Sequence, residues 1–298
     1  MPKRYQNRQE VIAFLQSHLG SQRWELTLPL WGRGHETYLA QGNGKRYFIK
    51  LGAYLPRYQV MASLGLTPAV LEAGRLEDGT SILVQAYISG RHPSWQDFRD
   101  HLPEIAAVVM EMHHSPALKS ILPARASETC KDAGLAALER VQQKWAAQRA
   151  QVSAVANEVD ERLAHLGQEM QGFAGSGLVA SHNDICNGNW LIAGDGKVYL
   201  VDLDAMSLDD PAHDMGALLW WYYLPELRPV FLQRAGYPYD YAFRQRMRVR
   251  MALHCLDILL PRAGSYDRFD AGSFADALTD FRAVFAGKEN PHGYDDRG

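Results

Sequence analysis

The segment SHNDICNGNWLIAGDGKVYLVDLD, residues 181–204, sets oxygen-bearing side chains at spacings that could do chemistry. Asp184 stands two residues after His182, Asn189 five residues after Asp184, and Asp202 opens an Asp-x-Asp that follows two short apolar runs. Phosphoryl transfer from a nucleotide to a hydroxyl calls for such a set: a carboxylate to orient and deprotonate the acceptor, and oxygen ligands to hold magnesium on the phosphates. Asp184 would be the base, and Asn189 and Asp202 the metal ligands. Taken singly, Asp and Asn in loops mostly cap turns. The ordered set, with a β-rich half ahead of it, argues for chemistry.

These residues need elements to position them. Gly194-Asp195-Gly196 predicts a hairpin that would bring Asp202 back alongside the loop carrying Asp184 and Asn189. Upstream, about Trp24 to Gly90, the runs WELTLPLWG, ETYLAQG, KRYFIKLG and SILVQAYISG read as strands. Their turns are marked by Gly32 and Gly34, by Gly42-Asn43-Gly44 and by Asp78-Gly79. One helix, residues 56–64, interrupts the strands and is closed by Gly65 and Pro68. Beyond Gly90 apolar residues recur at three- and four-residue steps over 98–114 and 133–171, and again over 215–224, 242–260 and 273–285. The expected organisation is an α+β chain with a small antiparallel N-terminal unit, 1–89, and a larger, mainly helical one, 90–298. Residues 11–19 (Val11, Ile12, Phe14, Leu15, Leu19) add an amphipathic helix at the start.

Composition narrows the partners. The chain has 298 residues, 47% hydrophobic and 22% charged, with net charge −3, so it carries neither the basic footprint of a nucleic-acid binder nor a polybasic membrane anchor. The longest apolar stretch, 215–225, is shorter than the ~20 residues a bilayer requires. Cys130, Cys186 and Cys255 are too few and too scattered for a disulfide framework or a CxxC metal site, which suits a reducing compartment. A cytoplasmic location is expected, and the sequence does not specify an oligomeric state. Residues 1–89 hold 10 Lys/Arg against 6 Asp/Glu, and the remainder 21 against 28. A basic unit beside an acidic one would suit an anionic nucleotide and a cationic acceptor, although uneven surface composition gives the same counts.

The loop His182 to Asn189 followed by Val201-Asp202-Leu203-Asp204 resembles the aminoglycoside phosphotransferase and choline kinase family, whose catalytic loop reads H-G-D-x-x-x-x-N and whose metal motif is an Asp between apolar residues. The resemblance runs from about Trp31 to Leu224. It implies a two-lobed protein-kinase-like fold, ATP and Mg2+ as cofactors, and a small-molecule hydroxyl as acceptor. Asn183 replaces the usual Gly, which is tolerable at positive φ because Asn visits that region more readily than other residues. Asp214 matches a family Asp that accepts backbone hydrogen bonds from the catalytic loop; a simple N-cap before Met215 demands nearly the same geometry. Lys50, at the end of YFIK, resembles the lysine that contacts the α- and β-phosphates, and WGRGHETY, with Gly32 and Gly34, the phosphate-covering turn. Val84 to Tyr87, with Gln85 and Tyr87, resembles the hinge strand that meets adenine.

One departure stands out. The family pairs its lysine with a Glu on the following helix, but no Asp or Glu occurs between Lys50 and Glu72, so Gln59 is the expected substitute, through a weaker neutral hydrogen bond. Asp204 would assist the metal or merely end its strand. Trp220 to Tyr223 read as a core helix in preference to a cage for a quaternary ammonium, and His113 and His114 as structural residues at a helix end. Asp209, Asp210, Glu226, Asp257, Asp267 and Asp270 could receive a polycation. An aminoglycoside, with antibiotic resistance as its outcome, is the first acceptor by family size; choline, ethanolamine, thiamine and sugars are alternatives. A catalytically silent nucleotide-binding module is the rival from another class. The missing activation-loop and APE-like segment argues against a protein kinase.

Overall fold

The computed structural model describes residues 3–21, 23–29, 37–124, 129–175, 177–261 and 269–295. It has the two-lobed α+β architecture and divides into two compact units, Met1–Arg91 with Leu191–Asp204, and His92–Trp190 with Ala205–Gly298. The segment 191–204, assigned from sequence to the second half, thus belongs with the first unit.

The first unit opens with α1 (Lys3–Leu19), followed by β1 (Glu25–Thr27), β2 (Thr37–Gly42), β3 (Lys45–Leu51), α2 (Leu55–Ser63), β4 (Val70–Arg75), β5 (Ser81–Ala86) and the short β6 (Gly90–Arg91). Strands β1 to β5 form an antiparallel sheet in the order β1-β2-β3-β5-β4. The β2–β3 hairpin turns through Asn43 and Gly44 at φ 51° and 71°, the paired positive values that a type I′ turn requires and Asn-Gly supplies. Strand alternation then sorts the side chains. Tyr38 and Ala40, Ile49 and Leu51, and Ile82 and Val84 join one core with Val11 and Leu15 of α1. Lys50 is out of phase with that core and meets Tyr58 of α2, its ammonium 5.7 Å from the ring centre.

The second unit begins with α3 (Trp95–Asp100), α4 (Leu102–His114), α5 (Pro116–Ile121), α6 (Cys130–Gln148), α7 (Ala156–Met170) and β7 (Val179–Ser181). Two helices expected as continuous are broken. The 98–114 run divides at His101, where Pro103 enters the first turn of α4 and removes a backbone donor. The 133–171 run divides at a 3-10 stretch with a kink at Val152 (φ −130°, ψ 44°).

Next come β8 (Trp190–Ala193) and β9 (Val198–Leu200), which form a sheet with β6 in the order β6-β8-β9. Their turn closes by a bond from the Gly196 N–H to the Ala193 carbonyl, 2.9 Å. The Leu200 N–H reaches the Leu66 carbonyl at 2.8 Å and joins the hairpin to the first unit's own chain. Strand β10 (Ser207–Asp209) then pairs antiparallel with β7 in the second unit. Helices α8 (Ala212–Tyr222), α9 (Arg228–Arg234), α10 (Tyr241–Asp257) and α11 (Ala271–Phe285) complete the chain. Among the described residues no helix is long and apolar enough to cross a membrane.

Candidate active site

The loop after β7 is held from beneath by one carboxylate. Asp214 is 1% exposed and accepts the His182 N–H at 2.7 Å, the Asn183 N–H at 2.9 Å and His113 Nε2 at 3.1 Å. Burial alone would raise its pKa, but the hydrogen bond from His113 and the neighbouring histidines hold it well below the usual carboxylate range. Since α8 begins at Ala212 with Pro211 as its cap, Asp214 is inside the first turn, and the N-cap reading falls. The loop anchor remains. His113, expected only as a helix-end residue, is fully buried between Asp214 and the Tyr237 hydroxyl, 2.8 Å from its Nδ1.

Asn183 does take positive φ, 64°. It also does what glycine could not: its Nδ2 donates to the Ser207 hydroxyl (2.9 Å) and to the Ala205 (3.1 Å) and Ser181 (3.2 Å) carbonyls, and its Oδ1 meets His213 Nδ1 at 3.0 Å. Fixed below by this network, Asp184 is half-buried. Asn189 Nδ2 donates to the Asp184 carbonyl at 2.7 Å. A carbonyl can only accept, so that bond orients the amide and leaves its oxygen as the atom a cation would use. Cys186, in the same loop, is kept as a thiol with its pKa pushed up to about 11 by burial and by the Asp184 charge.

Within the first unit, Lys50 Nζ is 2.6 Å from Asp202 Oδ1 and 2.8 Å from Asp204 Oδ2. The lysine is 3% exposed. Burial opposes its charge, but the surrounding groups, the Asp202 and Asp204 carboxylates among them, outweigh burial and hold its pKa above the ordinary value. Gln59 is exposed whereas Lys50 is buried on Asp202 and Asp204, so the expectation that Gln59 orients Lys50 is corrected: carboxylates from more than 150 residues downstream do so. Asp202 stands at φ 56°, a left-handed region uncommon outside glycine, though easier for Asp and Asn than for most side chains, and found often at functional positions.

The remaining expected residues lie apart from these contacts. Gln85 is buried within β5, its Nε2 donating to the Pro68 carbonyl at 2.8 Å. Tyr87 is one residue past β5, with the Arg46 guanidinium 4.1 Å above its ring. Gly32 and Gly34 lie outside the described residues. Among the described residues no three His, Cys, Asp or Glu side chains gather to hold a metal. Magnesium does not require such a cage, since it is commonly bound by one or two carboxylates with substrate phosphates; the Asp202 carboxylate and the Asn189 amide oxygen are each hard donors of the type it takes.

The model of the phosphotransferase enzyme family (APH) matches residues 24–248. The chain belongs to this family. The phosphotransferase is similar in fold to a choline kinase from Streptococcus pneumoniae, with TM-score 0.62 and 17% identity over 93% of this chain and 99% of the other. It is similar also to a choline kinase from Cryptosporidium parvum, TM-score 0.65 and 12% identity over 94% of each chain. A third is an aminoglycoside phosphotransferase, APH(4)-Ia, in ternary complex with AMP-PNP and hygromycin B, TM-score 0.61 and 19% identity over 93% of this chain and 98% of the other. At these identities the likeness establishes the protein-kinase-like fold of the phosphotransferase.

Several acidic residues expected at the acceptor are engaged elsewhere. Asp209 is buried on Arg250 at 2.8 Å, Asp210 on Arg246 at 3.2 Å, and Asp257 on Lys144 at 2.6 Å and Arg140 at 3.0 Å. Asp270 caps α11, and Asp267 lies outside the described residues. Trp220, Tyr222 and Tyr223 are buried, as a core helix requires. Tyr222 does more: its hydroxyl accepts the Asn187 N–H of the loop at 3.0 Å.

Proposed function

We propose that this phosphotransferase is an ATP-dependent, magnesium-using small-molecule kinase that moves the γ-phosphoryl group to a hydroxyl. One observation carries the reading: a nearly buried lysine ammonium lies 2.6 Å from a partly exposed aspartate. A cation for phosphate and a carboxylate for magnesium thus stand together, in the two signs that a metal–triphosphate complex presents. Bound magnesium would neutralise charge on the phosphates. Lys50 steadies the α- and β-phosphates, Asp202 and Asn189 supply oxygen ligands, and Asp184 orients the acceptor hydroxyl and takes its proton. Complexes of fold neighbours with AMP and with AMP-PNP support the donor class.

The acceptor follows less directly. Aminoglycoside modification loses three of its six acidic candidates to internal ion pairs. A second reading, an amino alcohol such as choline or ethanolamine, is favoured by Tyr222, whose bond to the Asn187 N–H brings an aromatic residue to the loop that carries Asp184. The test is ADP release coupled to a spectrophotometric readout, screened over aminoglycosides, amino alcohols, thiamine and sugars. Asp184→Asn is expected to keep ATP binding and lower turnover by at least ~10²-fold, the usual value of a positioned base. Turnover within a few-fold of wild type would remove Asp184 from that role. If no acceptor stimulates ADP release while ATP still binds, the silent nucleotide-binding module is correct.

A further inference from the structure

Helix α2 has no carboxylate, yet two of its residues hold one. Tyr58, 1% exposed, donates its hydroxyl to Asp204 Oδ1 at 3.1 Å, and the Tyr58 hydroxyl oxygen in turn accepts the Leu203 N–H at 3.2 Å. The adjacent Arg57 donates through Nη1 to the Leu203 carbonyl at 2.8 Å and the Asp204 carbonyl at 2.6 Å. Residues 203–204 are therefore gripped by α2 through both backbone and side chain. Asp204 Oδ2 is left for Lys50, at 2.8 Å. Asp202 is differently placed: its side chain is 46% exposed against 33% for Asp204, and its backbone sits at positive φ.

An ammonium as buried as Lys50 needs a lasting counter-charge, because an uncompensated buried charge is strongly destabilising. If Asp202 serves a cation, its charge is shared, and a second carboxylate must stay. We propose that Asp204, locked by Tyr58 and Arg57, is the positioning residue of Lys50 and takes the part that an acidic residue on α2 would otherwise play. The proposal rests on the reading of Lys50 and Asp202 given above. It makes α2 the element that sets the lysine, through a carboxylate borrowed from the far end of the β8–β9 hairpin. Tyr58 suits the task, since burial raises its pKa and keeps the phenol a neutral donor.

Two measurements test this, one without nucleotide. In ligand-free protein, a urea double-mutant cycle of Lys50→Met with Asp204→Asn is expected to show coupling of about tenfold in the unfolding constant, within the range for residues in direct contact. Tyr58→Phe should add little once Asp204→Asn is present, and Asp204→Glu should recover part of the coupling. In kinetics, Asp204→Asn should raise KM for ATP about tenfold with kcat changed far less, the mark of lost ground-state positioning. Absence of coupling overturns the proposal. So does a raised magnesium requirement with KM for ATP unchanged at saturating metal, which would make Asp204 a metal ligand. Coupling in a wild-type protein that neither binds nor turns over ATP supports the Lys50–Asp204 pairing and overturns the kinase reading instead.

Discussion

In the first unit Lys50 meets two carboxylates that remain partly open to solvent, whereas in the second Asp214 takes three hydrogen bonds in a closed interior. The two clusters are held by different physics. Around Lys50 one partner, Asp202, is nearly half exposed and can be exchanged at modest cost so long as Asp204 stays on the buried ammonium. Around Asp214 the donors are backbone amides and a fully buried imidazole, and nothing can leave without stranding a polar group. The first arrangement suits residues that must rearrange for a ligand, and the second suits a loop that must not move.

Breaking the closed cluster should have the largest effect. Asp214→Ala is expected to cost about 3–5 kcal/mol, the loss typical when one partner of a buried charged network is removed, measured by urea unfolding. A cost below about 1 kcal/mol, the range of exposed pairs, would erase the distinction between the clusters. Asp202→Ala tests the open one: the thermal shift with Mg·ATP should vanish, while stability without ligand changes by about 1 kcal/mol or less. An undiminished shift would place the metal elsewhere.

A third test uses pH and a histidine buried beside the closed cluster: His254 of α10 lies 3.4 Å from His213, which in turn meets the Asn183 side chain. Burial, reinforced by His213, lowers the His254 pKa to about 3. Below its unfolded pKa the unfolded chain binds a proton that the folded one refuses, so stability falls as pH falls. Its contribution is fully present above pH 6.5 and is lost progressively from there toward pH 3. His254→Gln should flatten stability against pH between 6.5 and 5 by up to ~1.4 kcal/mol per unit, one proton's worth. Equal slopes in the two proteins would show that His254 accepts a proton in the fold. The smallest effect is expected for Gln59→Glu, at an exposed position, which should stay within about 0.5 kcal/mol of wild type with ATP kinetics unchanged. Tighter ATP binding would put Gln59 back beside the lysine.

What the sequence disclosed follows the range of the interactions. Hairpins were legible because Asn43-Gly44 and Gly194-Asp195-Gly196 are turn chemistry written in two or three residues, and the ordered loop 182–189 because its spacing is local. The left-handed backbone at Asn183 was foreseeable from residue type, but the four polar contacts its side chain makes were not. The partner of Lys50 was sought one helix away and was found more than 150 residues on, since no local pattern marks such a pairing. The helix 55–63 was placed to within one residue, yet its facing was not, because LPRYQVMAS has too few apolar positions to define a single stripe. Asp209, Asp210 and Asp257 could be taken for receivers of a polycation because their arginine and lysine partners lie on helices distant in sequence.

The first unit is discontinuous, and chain synthesis meets it in two instalments. Residues 1–91 leave the ribosome about a hundred residues before 191–204, a delay of roughly 5–20 s at ordinary elongation rates. During that interval Lys50 has neither Asp202 nor Asp204, and Arg57 and Tyr58 have nothing to grip. The nascent unit must either keep its lysine in water or bury it unpaired. A fragment ending at residue 91 reproduces that moment, and it should be looser around α2 than the same residues in the finished protein.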